Sequence, residues 1–149
     1  MMLNQDYKDI LSLLLAKKVD FLLVGAYAMA VHGFTRSTAD IDILVKPSAE
    51  NAKLIYESLI EFGAPLIEIK PADFENPGTV VQIGVAPRRI DILTQIDGLS
   101  FDEAADGKTF ITIEDLRIPV ISKINLIKNK RSTGREKDRL DAETLNNIS

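Results

Sequence analysis

The spacing of apolar residues changes period several times along the chain, and each change marks an element. Residues 3–18 carry Ile10, Leu11, Leu13, Leu14 and Leu15 among polar positions. That stripe is the 3.6-residue period of an amphipathic helix, with Asn4 placed to cap its first turn. Residues 21–24, Phe-Leu-Leu-Val, are apolar without a break, as in a strand buried on both faces. Gly25 comes next, where the backbone must turn with no Cβ in the way. Residues 27–31 suit a short helix that Gly33 can end. Residues 40–45 then alternate, acid and apolar, in the two-residue period of a strand.

The second half continues the alternation of strand and helix. Ser48 can cap a helix over 51–62, with Leu54, Ile55, Leu59 and Ile60 on one stripe and Gly63 at its end. Residues 66–70 alternate weakly, which predicts a short edge strand. Two prolines and a glycine in 71–78 predict a loop with room for one helical turn. Residues 79–85 and 88–96 form an antiparallel hairpin around Ala86-Pro87. A short helix over 99–106 and a strand over 108–112 follow. Thr112 with Asp115 resembles a capping box, so residues 118–129 are expected to be a helix with Pro119 in its first turn and Val120, Ile121, Ile124 and Ile127 on its stripe. A turn over 130–134 leads to a last helix over 135–146, anchored by Leu140 and Leu145. The sum is one α/β (α+β) domain over 1–149, a mixed sheet of about five strands with helices packed on it.

The chemistry concentrates in two of the predicted strands. Along 40–43 the side chains alternate faces, so Asp40 and Asp42 project to one side and Ile41 and Ile43 to the other. Two carboxylates so close repel each other and raise each other's pKa, unless a cation lies between them. Hard oxygen ligands of this kind suit Mg²⁺ or Mn²⁺. Asp91 is a lone acid between Ile90 and Ile92 in an otherwise apolar strand, where burial of its charge must be compensated. If its strand pairs with that of Asp40, three carboxylates meet around one or two metals. If not, Asp91 is an ion-pair partner of Arg88 or Arg89.

This order of residues resembles the polymerase-beta-like nucleotidyltransferase superfamily. That family carries an apolar strand, a Gly-Ser or Gly-Gly pair, a spacer, an Asp-x-Asp flanked by apolar residues, and a third acid on a later strand. The corresponding residues here are Gly25-Ala26, Asp40-Ile41-Asp42 and Asp91 in RRIDILTQI. The run HGFTRSTADIDILV, residues 32–45, is closest to small prokaryotic proteins of the abortive-infection and toxin–antitoxin type. The resemblance implies a nucleotidyltransferase fold and transfer of a nucleoside monophosphate from a triphosphate. Asp40, Asp42 and Asp91 would be the catalytic, metal-holding acids, with Mg²⁺ or Mn²⁺ as cofactor. The Gly25 and Ala26 amides would approach the phosphates, and Arg36, Lys123 and Lys128 would supply positive charge. A protein, a tRNA or a small molecule could accept the nucleotide, and a cognate toxin or antitoxin could be a partner. Ala26 departs from the pattern: a serine hydroxyl is replaced by a methyl, and one hydrogen bond to a charged group is worth about 1.5–3 kcal/mol. The chain therefore also fits a catalytically degenerate, antitoxin-like module that binds nucleotide or a partner.

Composition narrows the alternatives. The 149 residues suffice for one domain with a true core. Cysteine is absent, which excludes disulfides, thiolate zinc and a cysteine nucleophile and accords with an expected cytoplasmic location. No signal-peptide pattern opens the sequence and no apolar run is of membrane-spanning length, so no membrane partner is expected. The net charge of −4 gives no general attraction to nucleic acid. Basic residues do gather between Arg117 and Arg139, as a phosphate-facing surface or as a solvated pair of helices. The single histidine, His32, is read either as a structural residue or as a phosphate contact.

Overall fold

The computed structural model describes residues 3–34 and 40–148. Helix α1 (Gln5–Ala16) starts where the Asn4 side chain accepts the Tyr7 amide, and it buries Tyr7, Ile10, Leu11 and Leu14. Three buried aliphatics are worth about 1.5–3 kcal/mol each, against about 1 kcal/mol for the cap. Packing therefore holds this helix, and the cap sets where it begins. Strand β1 (Phe21–Val24) is buried at all four positions, as its unbroken apolar run requires. Helix α2 (Gly25–Val31) follows with no linker, and strand β2 (Asp40–Val45) carries the acid pair. Helix α3 (Ala49–Phe62) is capped by Ser48 and closed by Gly63 in the left-handed region. Its buried face runs through Asn51, Ala52, Ile55, Ser58 and Leu59. Ile60, placed on the predicted stripe, is exposed.

Residues 66–70 form no strand, and Ile67 there is almost fully exposed. A 3-10 turn at Pro71–Phe74 instead inserts Phe74 fully into the core. The expected hairpin is present as β3 (Val80–Ile83) and β4 (Arg89–Leu93), antiparallel. Helix α4 (Phe101–Ala105) has a Ser100–Glu103 capping box, and strand β5 (Thr109–Ile113) comes next.

The region after β5 differs from expectation. Residues 116–120 are strand β6 (Leu116–Val120), not the first turns of a helix. Glu114 and Asp115, both at positive φ, make a two-residue turn between β5 and β6. Pro119 stands in β6 opposite Phe110. Strand β1 meets β6 only at its end, Leu23 beside Val120. Helix α5 (Lys123–Ser132) starts later, capped by Ser122, and runs through Lys130 and Arg131, which were expected in a turn. Ile124, placed on the predicted stripe, is exposed; Leu126 and Ile127 are the buried pair. In helix α6 (Glu136–Asn146), Leu145 is buried as expected but Leu140 is half exposed, and Ala142, Asp138 and Asp141 complete the inner face.

The sheet has six strands in the order β3-β4-β2-β1-β6-β5. The strand expected over 66–70 is absent and β6, expected as helix, takes its place in the count. The sheet is mixed: β2 runs antiparallel to β1 and parallel to β4. Helix α1 packs on α3 and β6, while α5 packs on α6 and α2. No helix among the described residues is long and apolar enough to cross a membrane.

Candidate active site

The parallel pairing of β2 with β4 sets Asp40 opposite Arg89 and Asp42 opposite Asp91. Neighbouring strands lie about 4.8 Å apart, so the in-register carboxyls of Asp42 and Asp91 reach each other. The alternation of β2 sends Ile41 and Ile43 fully into the core and leaves both acids on the other face. On β4 the same alternation buries Ile90 and Ile92 and puts Arg89 and Asp91 on the acid side. The structure thus brings Asp40, Asp42 and Asp91 together.

Burial is the main cause that pushes the Asp42 carboxyl up from 3.8 to about 7. The Asp91 carboxyl, which hydrogen-bonds to it, and the Asp40 charge add to the rise, while Arg89 opposes it. Three acids here share one guanidinium. Arg89 Nε donates to Asp91 Oδ1 at 3.0 Å, and one Arg89 Nη donates to Asp91 Oδ2 at 3.1 Å. The same Nη donates to Asp40 Oδ2. Asp91 thus neighbours the acid pair, as expected if its strand paired with that of Asp40, and it is also ion-paired with Arg89. The backbone of Arg89 is held as well. The buried Tyr7 hydroxyl donates to the Arg89 carbonyl at 2.9 Å and to that of Pro87 at 3.2 Å. Tyr7 in turn meets Tyr27 edge-on, with ring centroids 5.7 Å apart.

Asp40 and Asp42 open onto a cleft of about 620 Å³, with the buried Asp91 behind them. Gly25 and Ala26, at the start of α2, form one wall beside Asp40 and Asp42. Residues Leu93 to Asp97 border it beyond β4, and the α5–α6 corner contributes Lys130, Arg135 and Lys137. Lys130 is held by two acids that line the same cleft. Its Nζ lies 3.3 Å from Asp138 and 3.5 Å from Asp141, both buried acids. Asp138 also accepts from the Thr133 hydroxyl and from Arg135 Nε, each at 2.7 Å. Burial alone would raise the Asp138 pKa, but these donors and the Lys130 charge outweigh it and hold the carboxyl below its usual range.

The other sequence-predicted residues fall elsewhere. Lys123 donates to the carbonyl of Ile148 and does not line the cleft. Lys128 borders a separate hollow between α5 and the chain end. Arg36 lies outside the described residues, with Ser37 and Thr38. The His32 ring bonds the Ile121 carbonyl at 2.7 Å, the structural role. The basic side chains that do reach the cleft were missed because charges are evenly spread over 123–139. Only the angle between α5 and α6 decides which of them face inward. The one available signal was Lys130 and Asp138 flanking the Gly134 turn.

Three carboxylates on adjacent strands, one of them holding a proton near neutrality, are hard oxygen donors short of positive charge. In chemistry they fit Mg²⁺ or Mn²⁺. As positioned, with Arg89 among them, no three acidic or histidine side chains among the described residues are disposed to hold a metal.

No protein-family profile matches the chain, and no curated protein sequence matches it. Solved structures do. The lincosamide antibiotic adenylyltransferase LnuA, in its lincomycin-bound crystal structure, superposes with a TM-score of 0.60 at 18% identity, covering 99% of each chain. A Thermotoga maritima protein described as a nucleotidyltransferase, TM1012, gives 0.61 at 20% identity over 94% of this chain and 88% of its own. The antibiotic-resistance factor ANT(2'')-Ia gives 0.57 at 14% identity over 94% and 80%. The chain has the nucleotidyltransferase fold. At these identities the likeness speaks for the fold, and the chemistry rests on the residues above.

Proposed function

We propose that this protein is a divalent-metal-dependent nucleotidyltransferase that moves a nucleoside monophosphate from a triphosphate to an acceptor hydroxyl. The observation that carries this reading is the register of β2 on β4, which sets Asp91 beside Asp42, while Asp40 and Asp42 line the cleft. Asp40, Asp42 and Asp91 would hold Mg²⁺ or Mn²⁺. When bound, the metal neutralises phosphate charge and lowers the pKa of the attacking hydroxyl. The acceptor oxygen attacks the α-phosphorus in line, the bond to the β-phosphate oxygen breaks, and pyrophosphate leaves. Asp91 takes the acceptor proton. The Gly25–Ala26 backbone, with no side chain larger than a methyl, lets phosphate approach the acids closely. Lys130, Arg135 and Lys137 on the facing wall offset the charge of the triphosphate.

A small hydroxylated molecule is the acceptor class we favour over a protein or a tRNA. LnuA, bound to lincomycin, is matched over 99% of both chains. A chain of this size therefore suffices, without a second domain, to bind such an acceptor. A role within a toxin–antitoxin pair would call for a macromolecular acceptor or partner instead.

Thermal unfolding with each of the four nucleoside triphosphates, with and without Mg²⁺ or Mn²⁺, tests the site. Ligand at a hundred times its dissociation constant stabilises by about 2.7 kcal/mol. The expected result is a metal-dependent shift with at least one triphosphate that Asp40→Ala/Asp42→Ala abolishes. A shift without release of pyrophosphate in the presence of any acceptor would mark a degenerate binding module. No shift in any combination would overturn the site assignment.

A further inference from the structure

Arg89 takes up carboxylate oxygens that a metal ion held by Asp40 and Asp91 would need. Its guanidinium engages both oxygens of Asp91 and one oxygen of Asp40. The arginine stands directly opposite Asp40 across the β2–β4 pairing. A bidentate arginine–carboxylate pair has a fixed fork geometry and uses the same oxygen lone pairs that a metal would coordinate. A divalent cation placed beside that guanidinium would also meet like-charge repulsion. We propose that Arg89 is a resident counter-ion that closes the acid cluster to metal in the nucleotide-free protein, and that the metal enters only with a triphosphate, as Arg89 releases Asp40 and Asp91.

This inference rests on the reading of the three aspartates as a metal–nucleotide site and adds an order of events to it. Two features make the exchange feasible. The Arg89 side chain keeps 34% of its surface exposed, so it can swing outward without opening the core, whereas Asp91 keeps only 8%. The triphosphate also brings new negative charge to the cleft, which gives the released guanidinium a partner. The backbone of Arg89 does not need to move. Tyr7 holds its carbonyl in place, and only the side chain turns. Arg89 is thus a positioning residue, acting on metal access through Asp40 and Asp91. The arrangement would keep the acids from binding stray divalent ions when no nucleotide is present.

The test is Mn²⁺ binding followed by the spectrum of free Mn²⁺, without nucleotide, on the native protein and on Arg89→Gln and Arg89→Lys. Glutamine removes the charge and the fork. Lysine keeps the charge and loses the fork. The expected order of affinity is Arg89→Gln above Arg89→Lys above native, with at least a tenfold gap between the first and the last. Equal affinity in native and Arg89→Gln, or no binding by either, would overturn the proposal. A readout that needs no variant is the Nε–H resonance of Arg89 in the native protein. It should be protected from solvent exchange in metal-free buffer and stay so with Mg²⁺ alone. It should lose that protection with Mg²⁺ plus a non-hydrolysable triphosphate. Protection unchanged at saturation with the metal–nucleotide complex would overturn the proposal while leaving the nucleotidyltransferase reading intact. Failure of the native protein to bind that complex at all would count against both, and the tighter Mn²⁺ binding of Arg89→Gln would then be the result that separates them.

Discussion

Gly25 and Asp42 stand so close that position 25 has no room for a side chain beside the carboxylate. A Cβ added to Gly25 would overlap Asp42 Oδ2 and come within 2.9 Å of its Cγ, and Gly25 sits at φ +68°. The turn from β1 into α2 therefore presses its bare backbone against the carboxylate. Gly25→Ala would incur the left-handed penalty of about 1–2 kcal/mol and would also displace the Asp42 side chain. We expect the variant to lose at least that much stability in urea unfolding and to lose the metal-dependent triphosphate shift altogether. A variant that kept the shift would show that Asp42 can move without loss of the site.

The Asp42 pKa makes metal-free stability depend on pH in an unusual direction. The folded protein holds the Asp42 proton up to about pH 7, whereas the unfolded chain releases it near 3.8. Between those values the folded state binds more protons, so this group stabilises the fold fully below about pH 4, and its contribution is lost as pH rises through about 7. Asp42→Asn should therefore gain stability over the native protein at pH 8 in chelator and lose that gain toward pH 4. The comparison is made by denaturant unfolding at each pH. An Asp42→Asn difference that is flat with pH would show that the carboxyl is not held protonated.

The acid cluster and most of the fold were legible because their signals are local. Strand β1 reads from four unbroken apolar residues, α3 from Ser48 and Gly63, and the acid face of β2 from strict alternation. The pairing of β2 with β4 was open, since register between strands remote in sequence leaves no mark on either one. Strand β6 was misread because its turn is Glu114-Asp115. Those residues rarely take positive φ, and no glycine advertises the hairpin. Pro119 reinforced the error by mimicking a helix start, although Ser122 three residues on is the actual cap. The basic wall of the cleft was legible only as a cluster of charges, not as particular side chains. Lys130 faces inward and Lys128 outward through the packing of α5 on α6, and both look alike in a string of spaced charges.

Tyr7 couples the first helix to the acid-bearing strand. Its hydroxyl, buried in the core, supplies a hydrogen bond to the Arg89 carbonyl, and burial pushes its own pKa up to about 12. Tyr7→Phe keeps the edge-on contact with Tyr27 and removes only the hydroxyl. The loss should be about 1 kcal/mol, the usual net worth of one such bond, rising toward about 3 kcal/mol if the Arg89 carbonyl is left unsatisfied. Unfolding midpoints of the two proteins give the number. The stronger outcome should also show faster exchange of the Arg89 Nε–H, because the backbone that aims the guanidinium is then loose.

The α5–α6 corner depends on Asp138, and the dependence has a pH signature. Asp138 is 5% exposed and binds Thr133, Lys130 and Arg135 together. Removing one partner of a buried ion pair costs about 3–5 kcal/mol. Asp138→Ala should fall at the lower end, because Asp141 still faces Lys130. The folded carboxyl is held below its unfolded value of 3.8, so its contribution is present above that value and is lost as pH falls through the lowered folded value. The Asp138→Ala deficit in urea unfolding should accordingly be full at pH 7 and shrink below pH 4. Because Asp138 holds Lys130 at the cleft wall, triphosphate affinity should fall in the same variant at pH 7, read from the size of the metal-dependent thermal shift. Asp138→Asn, which keeps one acceptor oxygen for Thr133 and Arg135 but loses the charge and the oxygen that accepts from Lys130, should recover part of the stability. A deficit that stayed constant down to pH 3 would assign the loss to side-chain packing rather than to the ion pairs.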